Sequence, residues 1–392
     1  AQGARVHVSH RLTMRMSRGI AVWALAFLAA TCCGSLENDV RRLAAPLMPN
    51  GKYFEMKDDG HLFRDMLSWQ GQSALEALAN AGLKVPEMQH SVEEVLTDAF
   101  KLVGNRLPDG WCYDDLGSLA LAWLRGYTIT HNRSWLAHAE RLFDIIVGGW
   151  DSDEHCGGGM HWCASGETGH DYKESIATEL AFTLAATLHV ETGNATHLEW
   201  AEKVWRFLAS SKLRSASGLF FDGMHTEACK VDARDIWSYN QGVVLGGLAR
   251  LFSVMKNESY LAAADALAQA ALAHFSNETN RVFQEGCEAR TCYGLNASFS
   301  DACANQDWHI FKGMFFRHLS YLAEVSQRAV IYREAAARNL QSLRTREDAA
   351  GLVGICWAGP MDLVVGGAQV SALDLALASL PAVRRAEQLL LV

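Results

Sequence analysis

Two adjacent carboxylates are the residues of this chain best placed to do chemistry. Asp114 and Asp115 stand where a short stretch rich in glycine and aromatic residues, 109–113, leads into an apolar run with helical spacing. Acids at a helix start are ordinary, because the unpaired N–H groups and the helix dipole favour negative charge there. Two in succession can also act as an ionised and a protonated carboxyl in acid/base or nucleophilic catalysis. The spacing alone leaves both interpretations open.

A second set of side chains suits sugar binding. Asp222 lies in a long loop, and Tyr239, Asn240 and Gln241 open a predicted helix. Aromatic rings offer flat stacking surfaces and amides can hydrogen-bond hydroxyl groups. Asn and Gln at a helix start are also plain capping residues, so this pattern too has a structural interpretation.

The bulk composition excludes some classes of function. The chain has 392 residues, 49% hydrophobic and 20% charged, enough for a large core in one big domain or two ordinary ones. Its net charge of −9 is spread along the chain, without the basic stripe of a nucleic-acid-binding protein. Twelve tryptophans and nine tyrosines are a generous supply, mostly for the core but also for stacking on sugars.

Residues 1–34 are expected to be upstream residues and a secretory signal. Three arginines precede an apolar run over 20–30 that is too short to span a bilayer well, and small residues follow it. Cleavage would remove Cys32 and Cys33 and leave eight cysteines, an even number suited to an oxidising compartment. The closing apolar run, 389–392, is too short for a lipid-anchor signal. We therefore expect a secreted or cell-wall protein without a membrane span.

Histidine and cysteine residues cluster in the glycine-rich segment 155–163, which lacks the Gly-Lys-Ser/Thr of a nucleotide-binding loop. The residue types in it that can ligate zinc are His155, Cys156, His161 and Cys163. An even number of cysteines in a secreted chain favours disulfides instead, so we expect Cys156 to pair locally with Cys163. A further bridge is expected among Cys287, Cys292 and Cys303.

Apolar residues recur at helical spacing along most of the chain, and no convincing run of alternating strand residues is present. This pattern predicts a mainly helical protein. The predicted helical segments are 35–47, 63–81, 87–103, 115–130, 134–147, 172–191, 196–210, 237–255, 259–274, 308–326, 329–344 and 369–380.

A repeat links three of these helices. The pattern Asn-x-Ser/Thr-x-Leu-x-x-Ala-Glu/Asp begins at Asn132, Asn194 and Asn257, so it recurs after 62 and then 63 residues. Self-similarity at such a period indicates a stacked supersecondary unit, here a helical hairpin.

The asparagines of this repeat also belong to N-glycosylation sequons, which agree with secretion. We expect Ser134, Thr196 and Ser259 to be N-caps, so these sequons have a capping role first. Two further sequons, at Asn277 and Asn296, lie in loops and are therefore the better candidates for glycan attachment.

Loop lengths alternate along the chain. Connections inside hairpins have a few residues, whereas those between hairpins are long: 148–171, 211–236, 275–307 and 345–368. Long loops in a compact domain are usually functional. In a ring of hairpins these loops, and the inner helix that starts near Asp114, meet at one end. We therefore predict an all-α (α/α)6 toroid of six hairpins in one domain over 35–385, with a superhelical solenoid as the alternative.

Five motifs occur in order along the chain. They are Tyr113-Asp-Asp115 with Leu121-Ala-Trp-Leu-Arg125, Cys156-Gly-Gly-Gly159 with Trp162, Tyr239-Asn-Gln-Gly-Val-Val-Leu-Gly-Gly247, Phe311-Lys-Gly313 and Ser371-Ala-Leu-Asp374. Together, over about residues 50 to 380, they resemble glycoside hydrolase family 76, the α-1,6-mannanases and related fungal cell-wall proteins. The fold of that family is an (α/α)6 barrel.

The resemblance implies a retaining glycosidase with Asp114 as nucleophile and Asp115 as general acid/base, and without a metal or an organic cofactor. Neighbouring helical residues diverge by ~100°, and their carboxyls can lie about 5–5.5 Å apart, the separation that retention needs. Repulsion raises one pKa and so divides the roles. The side chains expected to line the mannan cleft are Trp69, Trp162, Asp222, Tyr239, Asn240 and Gln241.

The chain departs from the family pattern at three positions. Glu174 and Thr178 stand where the family usually carries asparagine, and His161 stands where it often has a large apolar or aromatic residue. Glu174 and Thr178 are expected near the cleft and therefore bear on linkage and subsite preference.

The expected function is that of a secreted endo-α-1,6-mannosidase that hydrolyses α-1,6-linked mannan by double displacement. One alternative is a cell-wall transglycosidase that uses the same aspartates with a sugar as acceptor. The other is a non-catalytic carbohydrate-binding wall protein, against which the intact aspartate pair argues. The expected partner is α-mannan or a mannosylated wall glycan, bound by a monomer, with no nucleic-acid partner.

Overall fold

The computed structural model describes residues 36–48, 57–58, 61–62, 68–103, 112–286, 288, 308–359 and 364–381. These residues contain twelve α-helices and five short strands. The helices are α1 (36–44), α2 (Trp69–Lys84), α3 (Gln89–Val103), α4 (Tyr113–Thr130), α5 (Arg133–Val147), α6 (Ser175–Thr192), α7 (Ala195–Ser210), α8 (Ser238–Met255), α9 (Glu258–Phe275), α10 (Trp308–Leu322), α11 (Ala329–Arg344) and α12 (Gly366–Ser379). The strands are β1 (Lys57–Asp58), β2 (His61–Leu62), β3 (Tyr172–Glu174), β4 (Gly223–His225) and β5 (Lys230–Asp232).

The even-numbered helices form a closed inner ring. Each packs against the next from α2 to α12, and α12 packs back against α2. They are buried on nearly all sides, as α12 is along its whole length, whereas α5 and α7 bury one face and lie outside the ring. Ring closure confirms the predicted (α/α)6 barrel over the solenoid, in which the first and last helices do not meet.

Two motif glycines allow the inner helices to approach closely. A Cβ on Gly242 of α8 would lie 2.5 Å from the Cα of Phe315 on α10. A Cβ on Gly313 of α10 would lie 2.4 Å from the Cα of Ser371 on α12. Neither distance is compatible with a side chain, so these glycines serve the packing of the ring.

A buried ion-pair network joins three inner helices in the core. The Arg317 guanidinium on α10 contacts Glu76 of α2 at 2.7 Å and Asp374 of α12 at 2.7 Å. It also donates to the carbonyl oxygen of Ser73 at 2.8 Å. All three ionic side chains are buried, and pairing of this kind is what makes buried charge tolerable.

The expectation of no strands was wrong for the long loops. Strand β3 pairs antiparallel with β4, which pairs antiparallel with β5. The helix predicted over 172–191 consequently begins at Ser175, and 172–174 is strand. Each of these strands has three residues, too few for a period of two to show in the sequence.

The predicted N-caps of the repeat were also wrong. Helices α5, α7 and α9 begin after Asn132, Asn194 and Asn257, and it is these asparagines that cap them. Each asparagine side chain accepts a hydrogen bond from the backbone N–H two residues later, at 3.0 Å. The hydroxyl residues Ser134, Thr196 and Ser259 are therefore already inside the helices.

The predicted Cys156–Cys163 disulfide was wrong as well. Cys163 pairs with Cys112, at the start of α4, and Cys156 pairs with Cys229 in the next long loop. The loop 148–171 does not close on itself but folds back over the start of α4, where Tyr113 N–H donates to the Trp162 carbonyl at 2.8 Å. This path brings Cys163 next to Cys112. Cys356 is also disulfide-bonded. The bridge expected among Cys287, Cys292 and Cys303 lies outside the described residues.

Candidate active site

One end of the barrel holds a cleft of about 520 Å³. Its walls come from the first turns of inner helices α2, α4, α6, α8 and α10 and from the loops that precede them. The converging helix starts place Asp114 and Asp115 in this cleft. The side chains of both are half-buried.

Carboxylates and aromatic rings dominate the lining. The acidic side chains are Asp114, Asp115, Glu174, Asp222 and Asp235. The aromatic ones are Trp69, Trp162, Trp237, Tyr239, Trp308 and Phe311. Among the described residues that line the cleft, none is lysine, arginine or histidine. This lining suits a ligand with hydroxyl groups and flat apolar faces, and it repels anions.

The first turn of α4 holds the aspartate pair in place. Cys112 is the N-cap, and its backbone N–H donates to Oδ2 of Asp115 at 3.3 Å. The same cysteine is fixed to the loop 148–171 through Cys163. An oxygen of Asp114 and an oxygen of Asp115 lie within 4.8 Å of each other. This close approach matches the short carboxyl separation of retaining glycosidases better than the wider one of inverting enzymes.

The two carboxyls do not ionise independently. Burial, and then the charge of Asp115, raise the pKa of Asp114 to about 8. Hydrogen bonds from the Trp162 side chain and from backbone N–H groups lower this pKa by less. The raised pKa favours retention of a proton by the pair at neutral pH.

The small sheet at the cleft rim positions three further acids. Glu174 ends β3, Asp222 precedes β4, and Asp235 follows β5. Backbone hydrogen bonds join the segments that carry these acids. Ser175 N–H donates to the Asp222 carbonyl at 2.7 Å, and Asp222 N–H donates to the Asp235 carbonyl at 3.0 Å. Tyr172 also donates its hydroxyl to Oδ2 of Asp222 at 2.9 Å. Burial raises the pKa of the Asp222 carboxyl.

Stacked aromatic rings form another part of the cleft wall. Tyr239 and Phe311 lie parallel with centroids 3.8 Å apart, and Trp237 stacks on Trp308 at 4.9 Å. Trp69 tilts toward Phe311 at 6.0 Å. Mutual stacking restrains these rings. Tyr239 and Phe311 are buried, whereas Trp237 and Trp308 are partly exposed and can offer a flat surface to the apolar face of a sugar.

Four of the six expected cleft residues reach the cleft: Trp69, Trp162, Asp222 and Tyr239. Asn240 and Gln241 do not. The Asn240 amide donates to Glu179 at 3.2 Å, and the Gln241 amide bonds the backbone of Phe220, all inside the barrel wall. Because successive helical residues turn by ~100°, a helix that points Tyr239 into the cleft points the next two residues into its neighbours.

Several lining residues were absent from the expected cleft set: Asp235, Trp237, Trp308 and Phe311. The sequence feature that could have predicted them is their position at or beside the start of an inner helix. Of the two departures from the family pattern that were expected near the cleft, Glu174 does line it. Thr178 is buried and accepts the Met160 N–H at 3.1 Å, so it faces the loop behind the cleft.

Two groups of side chains in the described residues lie close enough to share a metal ion. They are His155 with Cys156 and Cys229, and Cys112 with the aspartate pair. The cysteines in both groups are disulfide-bonded and supply no thiolate, so neither group has the donor set of a zinc site.

Comparisons with known proteins agree with this geometry. The sequence model described as glycosyl hydrolase family 76 matches residues 53–387. The mannan endo-1,6-alpha-mannosidase DFG5 of Candida albicans is 30% identical over 224 residues, covering 54% of this chain and 47% of that protein. The chain thus spans about half the length of the curated relatives it matches.

Solved structures share the fold. The alpha-1,6-mannanase of Salegentibacter sp. HEL1_6 gives a TM-score of 0.72 at 22% identity, covering 88% of this chain and 98% of that one. An inactive variant of that mannanase, with two consecutive aspartates replaced by asparagine, was solved with alpha-1,6-mannotriose. Its TM-score is 0.71 at 21% identity, covering 88% of this chain and 98% of that one.

Within the described residues, no helix is both long and apolar enough to cross a membrane.

Proposed function

This chain belongs to glycosyl hydrolase family 76, and on that premise we propose that it is an endo-acting α-1,6-mannosidase that hydrolyses α-1,6-linked mannan with retention of configuration. The observation that carries the proposal is the aspartate pair, which has carboxyl oxygens within 4.8 Å of each other in a cleft lined by aromatic rings and acids. The names of the curated relatives and the mannotriose bound by the Salegentibacter enzyme support the choice of substrate.

The proposed reaction has two displacements. In the first, a carboxylate oxygen of Asp114 bonds to the anomeric carbon, the bond from that carbon to the glycosidic oxygen breaks, and Asp115 gives its proton to the departing oxygen. In the second, water attacks the same carbon, Asp115 takes a proton from the water, and the bond to Asp114 breaks. The roles are those of a retaining glycosidase.

These roles require the shared proton to move when substrate binds. The raised pKa of Asp114 favours its protonated form, whereas attack needs an ionised Asp114. The anomeric carbon of the bound sugar is electron-poor and gains further positive charge as the bond breaks, and it favours the ionised form of the carboxyl beside it. The proton then moves to Asp115, next to the glycosidic oxygen. The pair is thus active in the state that carries one proton in total.

Digestion of unbranched α-1,6-mannan tests the proposal. The wild-type chain is expected to release short oligosaccharides, and Asp114→Asn and Asp115→Asn each to lower the rate at least about 10²-fold while the far-ultraviolet circular dichroism is unchanged. Asp144→Asn, on the outer face of α5, is the matched control and should retain full activity. Absence of products from the wild type, or full activity in either cleft variant, would contradict the proposal.

Adding an acceptor sugar to the same assay separates hydrolysis from transfer. The covalent intermediate can give its mannosyl group to water or to a second sugar. We propose water as the acceptor, so free oligosaccharides should dominate even with excess acceptor. Predominant formation of an acceptor conjugate would identify a transglycosidase that uses the same aspartates.

We propose further that residues 35–385 form a single catalytic domain and that the signal within 1–34 directs it to the cell exterior or wall as a monomer. The closed ring of inner helices supports one domain, and the two loop disulfides fit an oxidising compartment. The signal itself lies outside the described residues. Recovery of the mature chain from culture medium, with its N-terminus sequenced, tests this route.

A further inference from the structure

The three repeat asparagines have equivalent surroundings. Each follows a residue with positive φ: His131 at 52°, Gly193 at 68° and Lys256 at 53°. This left-handed residue ends the inner helix, and the asparagine then caps the outer helix. The repeat in the sequence is therefore also a repeat of one three-dimensional turn.

In each turn only one atom of the asparagine amide is used. Oδ1 accepts the capping bond from residue 134, 196 or 259 at 3.0 Å. Nδ2 donates no hydrogen bond to the described residues, and all three side chains are exposed. An N-linked glycan attaches through Nδ2 and leaves Oδ1 as an acceptor. Capping and glycosylation consequently do not compete.

We propose that Asn132, Asn194 and Asn257 are N-glycan acceptor sites, each carrying its glycan on Nδ2 while Oδ1 caps the helix. The proposal rests on passage of the chain through the secretory route. The donor is a polyprenyl-pyrophosphate-linked oligosaccharide: the bond from sugar C1 to phosphate oxygen breaks, the bond from C1 to Nδ2 forms, and Nδ2 loses one proton. The polyprenyl pyrophosphate leaves with the electron pair of the broken bond, and water takes up the proton.

The three sites lie at the end of the barrel opposite the cleft. Helices α4, α6 and α8 start at the cleft and have 18 residues each, so they carry the chain about 27 Å away from it. The asparagines follow directly after these helices. Glycans attached there leave the cleft open to a polymeric substrate.

The loop sequon at Asn277 has less suitable surroundings. Its side chain is half-buried, and Nδ2 already donates to Oε1 of Gln284 at 3.4 Å. Its Oδ1 accepts two backbone N–H groups, from Thr279 at 2.9 Å and Asn280 at 3.3 Å. The structure thus favours the repeat asparagines over this loop position, the reverse of the order expected from loop location alone.

Site mapping tests the proposal. The full chain is produced behind a cleavable secretion signal in a eukaryotic host, collected from the medium, and treated with peptide N-glycosidase in heavy-oxygen water. Peptide mass spectrometry should then find labelled aspartate at 132, 194 and 257. Unmodified asparagine at any of these positions overturns the assignment for that helix, and label at 277 in preference to the three overturns the proposal as a whole.

Variants at the Asn194 site distinguish the effect of losing the glycan from the effect of losing the N-cap. Thr196→Ala destroys the sequon but leaves Asn194 and its bond to the backbone, and Asn194→Asp keeps a capping oxygen. Both should lose one glycan, and their enzymatically deglycosylated forms should keep the melting temperature of deglycosylated wild type. Asn194→Ala should lose the same glycan and melt at lower temperature. An unchanged glycan mass in Thr196→Ala would contradict the assignment, and none of these outcomes depends on mannan cleavage.

Discussion

Asp114 is the residue whose ionisation matters most, because burial and the charge of Asp115 raise its pKa to about 8. A pair that works with one proton in total loses activity when that last proton leaves. We predict that kcat/KM for mannan falls above about pH 8, approaching tenfold for each further pH unit. Initial rates measured from acid to alkaline pH check this. A rate that is still constant two units above this value would contradict the one-proton pair.

The same pKa predicts an effect on stability. The pKa of Asp114 is higher in the folded protein than in the unfolded chain. The stability that Asp114 contributes is therefore fully present below about pH 4 and is lost as the pH rises through about 8. Asp114→Asn cannot titrate. Its free energy of unfolding relative to wild type should therefore increase by up to about 1.4 kcal/mol for each pH unit between these values.

Urea unfolding at mildly acid and at neutral pH measures this difference. The control is the exposed Asp144→Asn, which should follow wild type at both pH values. A stability difference between Asp114→Asn and wild type that does not grow with pH would show that Asp114 is already ionised in the folded protein. Stabilisation with loss of activity is the behaviour expected of a group strained for function.

At the scale of helices, the start of α4 shows what the sequence could and could not predict. The acids at 114 and 115 were placed near a helix start from pattern alone, and the structure puts them in its first turn. The partner of Cys112 depended on how a loop of more than twenty residues folds back, and no local signal encodes that. The same holds for the strands that position Glu174 and Asp222, because three-residue strands leave no periodic pattern.

Side-chain direction was the other limit. Tyr239, Asn240 and Gln241 are all suited to sugar binding by type, yet only Tyr239 faces the cleft. The choice among the three is set by the rotation of α8 in the ring. That rotation is fixed by contacts with α6 and α10, such as the close approach at Gly242.

The ion pairs of Arg317 give a prediction at the scale of helix packing. Arg317→Met leaves Glu76 and Asp374 buried without their cation, so the free energy of unfolding should fall by about 3–5 kcal/mol. The triple variant Arg317→Met, Glu76→Gln, Asp374→Asn carries no buried charge at these positions and should recover much of that loss. Urea unfolding measures both variants. A triple variant less stable than the single one would contradict this account of the network.

At the scale of the whole molecule, negative charge is concentrated where the substrate must bind. The chain carries a net charge of −9, and five acidic side chains line the cleft with no basic side chain among its described residues. An anionic polymer should therefore bind less well than a neutral one. We predict a lower kcat/KM on phosphorylated α-1,6-mannan than on the unmodified polymer, with a gap that narrows as salt is added.

Glu174 should account for part of this discrimination. Glu174→Gln keeps the size of the side chain and should reduce the preference for neutral mannan about two- to fivefold. Glu199→Gln, on the exposed side of α7, changes the net charge equally but lies away from the cleft. Equal effects of the two variants would mean that net charge, and not the cleft, sets the preference.

The architecture as a whole was the most predictable level. The repeat at 62 and 63 residues and the alternation of short and long loops depend on many residues at once, and the structure closes the ring that they imply. The cleft lining depends on which few residues of each inner helix face inward. Trp308 and Phe311 belong to it only because α10 starts beside α8.

The most direct test of the central claim is to trap the covalent intermediate. A mannose-configured epoxide inhibitor reacts with the nucleophile of a retaining enzyme, and peptide mass spectrometry of the labelled chain identifies the modified side chain. We predict one covalently bound inhibitor, on Asp114 of the wild type, and none in the Asp114→Asn variant. A label on Asp115 would reverse the proposed roles, and a label on neither aspartate would contradict catalysis by this pair.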